Sequence, residues 1–451
     1  MIPEYIRDAM AALNGASYEC YIVGGAVRDR LREVPVHDYD LTTSALPDQT
    51  IDVMTKAGFK TIIDSSARFG TVVFIRPGST EKIEITTFRG DGDYEDSRHP
   101  DEVLFGVSLE KDALRRDFTI NSMYMDKDER IIDPNNGQQD INDGIIRAIG
   151  DPVRRFNEDA LRILRAVRFQ AKSGFKIDEK THEAMIACKS LLHNISSERI
   201  FTELTGIVTA PGGSAAIRDN LEVIGEIIPE LLLQKDFDQR SKYHDKTLLE
   251  HTLAVLDGIP LDNNGARDIT FAYAALFHDI GKPEVFVIDE DGTGHMKKHA
   301  PAGVAIAKRI AAELKFPNSV RDDVLDLVLH HDSFAVPERK SVKRFMNKMG
   351  PEFCKKLFVL QRADIMAHSE FGRKRLELLE RIIALYEEIM AESPCLSVKD
   401  LDITGEDLAS LGVPRSPVMG DILKDVLDQV LEENLVNEKS ALLEYVRENY
   451  L

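Results

Sequence analysis

The most constraining stretch of the sequence is a pair of glycines followed by a basic residue and then by two closely spaced aspartates. A strand-like run ends in Gly24 and Gly25, Arg28 follows about one helical turn later, and Asp38 and Asp40 come next. Adjacent glycines let a backbone approach a ligand closely, and the N-terminus of the following helix offers N–H groups to an anion. Two carboxylates separated by one strand residue point to the same face. The pattern therefore predicts divalent cations beside a phosphate-binding turn, as in two-metal phosphoryl or nucleotidyl transfer.

Length and composition indicate a multidomain protein of the cytoplasm. The 451 residues suffice for two to four domains, and 43% hydrophobic with 30% charged residues are typical of soluble chains. The four cysteines are far apart and predict reduced thiols, and we expect neither a signal peptide nor a membrane span. The net charge of −20 argues against nucleic-acid binding unless a local basic stripe provides it.

The hydrophobic pattern divides the chain into an α/β head and a long helical remainder. Strand-like segments alternate with a helix at 47–57, whereas helical periodicity dominates from about residue 146. The strand-like segments are 20–23, 38–42, 61–64, 70–75 and 82–88. We predict a nucleotide-transferring head at 1–145, a helical neck at 146–210, a helical body at 211–390 and a tail at 391–451.

A dense polar cluster follows the last of these strands. Arg115 and Arg116 are adjacent, and Asp112 and Asp117 flank them. Guanidinium groups can bind a phosphate, and a carboxylate can accept a hydrogen bond from a ribose hydroxyl. An ordinary surface ion-pair cluster is the alternative interpretation. The polar, glycine-containing segment 89–100 before the cluster predicts a surface loop.

A basic stripe on one predicted helix supplies the missing local positive charge. Arg162, Arg165 and Arg168 recur every three residues, with Asp159 one turn earlier, while apolar residues form a second face. Guanidinium donors and a carboxylate acceptor together can pair with a nucleobase edge, and a good bidentate pair gives about 1–3 kcal/mol of discrimination. A salt-bridged helix face is the alternative.

In this order and context, the motifs resemble those of class II tRNA nucleotidyltransferases, the family of bacterial CCA-adding enzymes. The resemblance covers about the first 210 residues, including a last neck motif at 196–204. It implies a mixed-sheet α/β head of the DNA polymerase beta type, followed by an all-α neck, body and tail. The matching segments are Gly24–Asp29, Asp38-Tyr39-Asp40, Arg115–Thr119 and Glu158-Asp159-x-x-Arg162.

The resemblance also implies a role for each matched residue. Asp38 and Asp40 would hold two Mg²⁺ ions, and Glu84 would add a third carboxylate from a neighbouring strand. The substrates would be the tRNA 3′ end with CTP and ATP, read without a template, and segment 89–100 would be the loop that relatives use to switch from C to A addition. The implied nucleotide-binding residues are Gly24, Gly25, Arg28, Asp112, Arg115 or Arg116, Asp159, Arg162, Arg165 and Arg168.

A second constellation, rich in histidine, lies in the predicted body. Imidazole nitrogens together with carboxylates suit a transition metal or a mixed pair of metals. The pattern resembles the HD phosphohydrolase domain, which implies a divalent-metal centre that hydrolyses phosphoesters. A metal set retained only for structure is the alternative, and the choice between the two adjacent histidines stays open. The candidate ligands are His251, His278, Asp279, His299, His330 or His331, and Asp364.

Several functions share these motifs. CCA addition to tRNA is favoured over its relatives, an A-adding enzyme or a poly(A) polymerase. A protein-uridylylating signalling enzyme shares the two-domain layout, but the neck motif and the lack of an obvious sensory repeat disfavour it. A non-enzymatic RNA-binding scaffold has no use for Asp38 and Asp40. The tail at 391–451 resembles the tRNA-gripping tail of many relatives.

Overall fold

A seven-stranded mixed sheet organises the first part of the computed structural model, which describes residues 2–36, 38–62, 70–76, 78, 81–91 and 103–451. The strands are β1 (Cys20–Val23), β2 (Asp40–Thr43), β3 (Lys60–Ile62), β4 (Thr71–Ile75), β5 (Lys82–Thr87), β6 (Arg89–Asp91), β7 (Val103–Phe105), β8 (Tyr124–Met125), β9 (Ile131–Ile132), β10 (Ile145–Ile146), β11 (Lys176–Ile177), β12 (Val287–Ile288) and β13 (Gly294–His295). The order in the large sheet is β3-β4-β5-β2-β1-β8-β9, and the remaining strands form three two-stranded pairs.

Strand pairing confirms the predicted mixed sheet. β2 runs parallel to β5 and antiparallel to β1, and every other neighbouring pair in the large sheet is antiparallel. In this register Asp40 lies opposite Glu84 on one side and opposite Val23 on the other. The remaining residues of β2 are buried, so only Asp40 at its start reaches solvent. The register therefore places two acidic residues side by side on two central strands of the sheet.

Short helices cover this sheet and continue into the neck. They are α1 (Glu4–Gly15), α2 (Gly25–Leu31), α3 (Pro47–Lys56), α4 (Leu109–Leu114), α5 (Gly137–Asp143), α6 (Pro152–Glu158), α7 (Leu161–Ser173), α8 (Glu179–Cys188), α9 (Ser197–Val208), α10 (Gly213–Asp219), α11 (Leu221–Ile227) and α12 (Glu230–Gln234).

One predicted helix, at 157–172, is interrupted. Asp159 has an extended backbone (φ −149°, ψ 101°), and its carboxylate accepts a hydrogen bond from the backbone N–H of Leu161 at 3.1 Å. Aspartate commonly satisfies free N–H groups at helix starts in this way, so α6 ends and α7 begins here. The break separates Glu158 from the arginine stripe that continues on α7.

The chain divides into two compact units, one up to Leu232 and the other from Leu233. The second unit is helical apart from the β12–β13 pair, as the sequence predicts. A long apolar cluster that includes Val342, Phe358 and Leu442 forms part of its core. Its helices are α13 (Leu248–Gly258), α14 (Ile269–Phe277), α15 (His299–Glu313), α16 (Asn318–His330), α17 (Arg339–Met349), α18 (Pro351–Ala367), α19 (Glu370–Arg373), α20 (Arg375–Ala391), α21 (Gly405–Ser410), α22 (Val418–Leu431) and α23 (Lys439–Tyr450).

All four cysteines are free, and three of them are buried. Burial raises the pKa of the Cys354 thiol to about 12, so this side chain behaves as a small apolar residue. Across the described ranges, no helix is both long and apolar enough to cross a membrane.

Candidate functional site

Three acidic residues lie close together on and beside the central strands of the head sheet. Asp40 starts β2, Asp38 precedes it by two residues, and Glu84 lies opposite Asp40 on β5. Each of the three keeps part of its surface exposed to solvent. Enclosure by the surrounding protein, and then the charges of Asp38 and Glu84, raise the pKa of Asp40 to about 6, although Arg116 acts in the opposite direction. Divalent cations relieve such repulsion, and carboxylate oxygens are the ligands that Mg²⁺ prefers. These residues therefore fit a metal site.

Asp112 occupies the centre of the predicted phosphate cluster. Its carboxylate is fully buried, and it forms ion pairs with Arg115 at 2.8 Å and Arg116 at 3.1 Å. The Tyr124 hydroxyl donates to Asp112 at 2.8 Å, and Arg116 Nε donates to that hydroxyl at 3.1 Å. Sequence reasoning assigned Asp112 a ribose contact. In the structure its side chain is fully enclosed and pairs with the two guanidinium groups, and the ribose contact stays a prediction.

The turn after β1 orients Arg28. Gly24 has φ +72°, a conformation that glycine adopts without strain, and α2 begins at the next residue. Arg28 donates to Asp29 through Nε and to Asn121 through Nη1, both at 2.8 Å. Its guanidinium is therefore held in a defined position on the first turn of α2.

Three of the predicted arginines lie around the ring of Phe169 on α7. The guanidinium carbons of Arg28, Arg165 and Arg168 lie 5.2, 5.5 and 5.4 Å from the centroid of the ring. Cations attract the face of an aromatic ring at such distances. Phe169 thus joins the glycine turn to the arginine stripe, a role that sequence reasoning missed.

Carboxylates hold the outer arginines of this group. Arg165 pairs with Asp117 at 2.6 Å, and Arg168 pairs with Glu203 at 2.9 Å. Burial alone raises the pKa of Asp117, but the charge of Arg165 and hydrogen bonds from Asn121, Arg165 and the Phe118 N–H hold it at about 2. Asp117 and Glu203 stand in the matched motifs and Asn121 lies two residues after one of them, but nothing in the sequence indicated these contacts.

The two residues predicted to read a base edge differ in accessibility. Arg162 donates to the carbonyl oxygens of Arg155 and Arg115 and to Glu158, with 12% of its side chain exposed. Asp159 is more exposed and accepts a hydrogen bond from Arg199 at 3.2 Å. Arg162 and Asp159 both lie at the break between α6 and α7.

The predicted loop at 89–100 lies outside the described residues from 92 onwards. Its first part, Arg89–Asp91, pairs with β7.

A second cluster forms in the second unit from the predicted body residues. One oxygen of Asp279 lies 3.1 Å from His278 Nε2, and the other lies 3.4 Å from His299 Nε2 and 3.6 Å from His331 Nε2. Asp364 lies 3.0 Å from His251 Nε2. The donor atoms of the cluster form three groups that could each hold a metal: His251–His278–Asp364, Asp279–His299–His331 and His244–His251–His368. The first two consist of predicted residues, and Asp279 contacts histidines of both.

Backbone carbonyls fix three of these imidazoles. Nδ1 of His278, His299 and His331 lies 2.8, 3.0 and 2.8 Å from the carbonyl oxygen three residues earlier. A carbonyl only accepts, so Nδ1 of each ring carries a proton and Nε2 is the atom that faces the cluster. Two pairs of Nε2 atoms lie close together, His278 with His251 at 3.3 Å and His299 with His331 at 3.1 Å. Imidazole nitrogens that converge with carboxylates in this way suit a transition metal, so the donor set fits a metal.

Of the two adjacent histidines, His331 faces the cluster and His330 does not. His331 is 2% exposed, whereas His330 packs its edge against Phe353. Burial lowers the pKa of His331, but Asp279 and Asp332 outweigh this and raise it to about 9. The carboxylates therefore favour a positive charge at this position, which a proton or a metal can supply.

A cavity of about 480 Å³ opens onto the cluster. Four cationic residues line it together with the metal-facing side chains: Lys282, Lys297, Lys298 and Arg375. His244 and His368 also line it and were missed by sequence reasoning. His368 follows Asp364 by one helical turn, which was a usable signal; His244 precedes its helix and gave none.

Comparisons with known proteins show which families three parts of the chain match. Residues 20–147 match the family described as Poly A polymerase head domain, 174–231 match an RNA- and SrmB-binding site family of polymerase A, and 303–446 match a tRNA nucleotidyltransferase domain 2 family. The chain is 42% identical to a CCA-adding enzyme of Lactobacillus helveticus over 53% of its length. In the alignments with this enzyme and with two other CCA-adding enzymes, the chain spans 59%, 49% and 62% of the length of the relative.

A longer alignment decides the family. The chain is 30% identical to the CCA-adding enzyme of Ligilactobacillus salivarius over 98% of its own length and 96% of the relative. The chain belongs to the CCA-adding enzymes. Members of this family are nucleotidyltransferases and depend on divalent metals in general, and these relatives do not favour the poly(A) polymerase or protein-uridylylating alternatives.

Solved CCA-adding enzymes share the fold. The crystal structure of the Bacillus stearothermophilus CCA-adding enzyme in complex with CTP superposes with a TM-score of 0.69 at 26% identity, covering 99% of this chain and 98% of that one. The Thermotoga maritima CCA-adding enzyme complexed with tRNA superposes with a TM-score of 0.62 at 19% identity, which shows the fold alone.

Proposed function

We propose that this chain adds C, C and A to the 3′ end of tRNA, using CTP and ATP and no nucleic-acid template. The observation that carries the proposal is the pairing of Asp40 with Glu84 on two neighbouring strands, with Asp38 two residues before Asp40, within a chain of this family. These carboxylates would hold two Mg²⁺ ions. When bound, the ions activate the tRNA 3′-hydroxyl for attack on the α-phosphorus and neutralise the triphosphate.

The protein's own residues bind and orient the nucleotide. Arg28, Arg115 and Arg116 bind the triphosphate, since Asp29, Asn121 and the buried Asp112 hold their guanidinium groups in place. Asp159 presents an acceptor to the base, and Arg162 donates from the same helix break. The arginine stripe on α7, with Arg165 and Arg168, adds positive charge. We assign tRNA contacts to the neck at 146–210 and the tail at 391–451.

Extension of three tRNAs at single-nucleotide resolution tests this function. The tRNAs end at the discriminator base, in C and in CC, and CTP and ATP are supplied together with Mg²⁺. We expect the first tRNA to gain CCA and then stop. Extension of the CC-ended tRNA alone, by one A, would identify an A-adding enzyme instead, and unlimited A addition would identify a poly(A) polymerase.

A second activity is favoured by the facing Nε2 atoms of the histidine cluster. We propose a divalent-metal centre that hydrolyses phosphoesters, held by His251, His278, Asp279, His299, His331 and Asp364. When bound, the metals polarise the ester phosphate and lower the pKa of a coordinated water. The cationic wall of the cavity, which includes Lys297 and Lys298, binds the anionic substrate.

The adjacent residues His330 and His331 provide a matched pair of variants for testing the proposed phosphoesterase. The full chain is loaded with Mn²⁺ or Ni²⁺, and phosphate release from p-nitrophenyl phosphate is measured beside nucleotide addition. We expect His331→Ala to lose at least 90% of the hydrolysis while His330→Ala keeps it, with CCA addition unchanged in both. If the unmodified chain hydrolyses no substrate with either Mn²⁺ or Ni²⁺, the proposed activity is refuted and the cluster has a structural role.

A further inference from the structure

Three imidazole rings lie together beside the predicted metal cluster. His251 lies on α13, His244 lies shortly before that helix, and His368 follows α18 directly. The ring centroids are 4.6 to 5.2 Å apart, and one nitrogen of each ring lies within 4.8 Å of a nitrogen of the other two. Of the three residues, the sequence pattern indicated only His251 as a metal ligand.

Each of these rings has a buried nitrogen that makes no hydrogen bond. The Nδ1 atoms of His244, His251 and His368 are all in this state, and the residues His251 and His368 are only 1% and 5% exposed. No other histidine among the described residues has such an atom. A buried polar atom without a hydrogen bond costs about 1–3 kcal/mol, so three such atoms at one place indicate a ligand that they share.

The other nitrogen of the His251 ring belongs to the predicted cluster. His251 Nε2 lies 3.0 Å from Asp364 and 3.3 Å from His278 Nε2. The two nitrogens of an imidazole lie on different edges of the ring and can bind different partners. His251 can therefore act in the predicted cluster through Nε2 and beside His244 and His368 through Nδ1.

Backbone contacts next to His244 and His368 hold these two residues together. The N–H of Ser369 donates to the carbonyl of Tyr243 at 2.9 Å, and the Ser369 hydroxyl donates to the carbonyl of Lys242 at 2.7 Å. Both bonds join the segment before His244 to the residue after His368. The two side chains are therefore positioned before a ligand binds, which lowers the entropic cost of binding.

The charges around the three rings permit a cation. Lys282 is the nearest positive side chain of the cavity wall to appear beside them, but its Nζ lies 2.5 Å from Asp279 and 2.7 Å from Gln239 Oε1. Its charge is therefore neutralised by Asp279. On the other side, Asp364 lies 3.9 Å from His368 Nε2 and contributes negative charge.

We propose that His244, His251 and His368 form a third metal site, separate from the two groups of predicted ligands. The site contains imidazoles and no carboxylate, so it suits Zn²⁺ or a similar transition metal, whereas Mg²⁺ prefers oxygen ligands. His251 bridges to the neighbouring group as an imidazolate, and its ring proton passes to solvent. His244 and His368 line the cavity, so the fourth position of a tetrahedral Zn²⁺ is open on that side. The site shares His251 with the phosphoesterase centre proposed above and does not depend on its activity.

The number of bound Zn²⁺ ions tests this site. The full chain is stripped of metal with a chelator, loaded with Zn²⁺ in excess Mg²⁺, which competes for the head carboxylates, and dialysed before zinc per chain is measured by mass spectrometry. We expect His368→Gln and His244→Gln each to bind one Zn²⁺ fewer than the unmodified chain. His330→Gln, on a histidine that faces away from the cluster, should bind as many as the unmodified chain. Equal zinc contents in all four proteins would refute the site.

A double variant tests whether the third site is separate from the predicted cluster. His331→Ala removes a ligand of the Asp279–His299–His331 group and should lose one Zn²⁺, and its combination with His368→Gln should lose two. A double variant that loses only one would mean that all these histidines serve one centre, which would refute the third site.

Folding and hydrolysis are measured beside the zinc content. Far-UV circular dichroism and CCA addition should be unchanged in each variant, so that lost zinc does not reflect lost structure. His244 is more exposed than His368, so His244→Gln provides the test if His368→Gln does not fold. Loss of one Zn²⁺ in these variants, in a chain that hydrolyses no p-nitrophenyl phosphate, would support the third site and refute only the phosphoesterase.

Discussion

At the scale of single residues, buried ion pairs set the geometry of the head. Asp117 is nearly buried and accepts two hydrogen bonds from Arg165, at 2.8 and 2.6 Å, on its outer oxygen. Its other oxygen accepts from the side chain of Asn121, which in turn accepts from Arg28. A buried carboxylate in such a network is stabilised only while its partners remain. Asp117 therefore orients Arg165 directly and Arg28 through Asn121.

We expect Asp117→Asn to destabilise the first unit in a pH-dependent way. The pKa of Asp117 is about 2 in the folded chain against an ordinary value of 3.8, so its ionisation contributes about 2 kcal/mol of stability above pH 5. This contribution is lost as the pH falls from 4 to 2, where the carboxylate becomes protonated. Urea unfolding at pH 7 and at pH 3 measures it. Asp48→Asn, on the exposed first turn of α3, serves as control, and an Asp117→Asn deficit that is equal at both pH values would contradict the assignment.

At the scale of elements, α7 combines two functions. Ile163, Leu164 and Val167 are fully buried, whereas the arginine stripe and Phe169 lie on the half-buried side. The apolar side fixes the rotation of the helix, so the stripe can face only one direction. Phe169 also packs edge-on against Phe118 at 5.7 Å, which holds the ring that the three guanidinium groups contact.

Removal of that ring should weaken nucleotide binding more than folding. We expect Phe169→Leu to raise the KM for CTP and ATP about tenfold, because each cation–π contact provides about 0.5–2 kcal/mol and the arginines lose their common support. Steady-state extension of a CC-ended tRNA measures kcat and the KM for ATP, and extension of a tRNA that ends in C, with CTP alone, measures the KM for CTP. Phe175→Leu is the matched control, since its ring contacts only Arg32 among these cation–π pairs. If Phe169→Leu lowers the melting temperature but leaves KM unchanged, Phe169 contributes only to packing.

At the scale of the whole molecule, acidic composition and tRNA binding are compatible because charge is unevenly distributed. The net charge of −20 covers the entire chain, yet arginines gather around Phe169 in the first unit and lysines around Phe371 in the second. Screening confines each field to about 10 Å at ordinary salt, so a local basic patch acts on its own ligand whatever the total charge. Total charge is thus a poor guide to the partners of a chain of this size.

The sequence by itself determined the α/β head, the helical remainder and most of the candidate residues. Local patterns suffice for these, because a glycine turn, a D-x-D strand or a histidine on a helix depends on neighbours in sequence. Tertiary structure alone decided which residues meet. Strand register brought Glu84 to Asp40, side-chain direction selected His331 over His330, and folding brought His244 and His368 to the cavity of the predicted cluster. Burial likewise decided that Asp112 pairs with two arginines inside the protein, since an exposed and a buried aspartate look identical in sequence and differ only in what surrounds them.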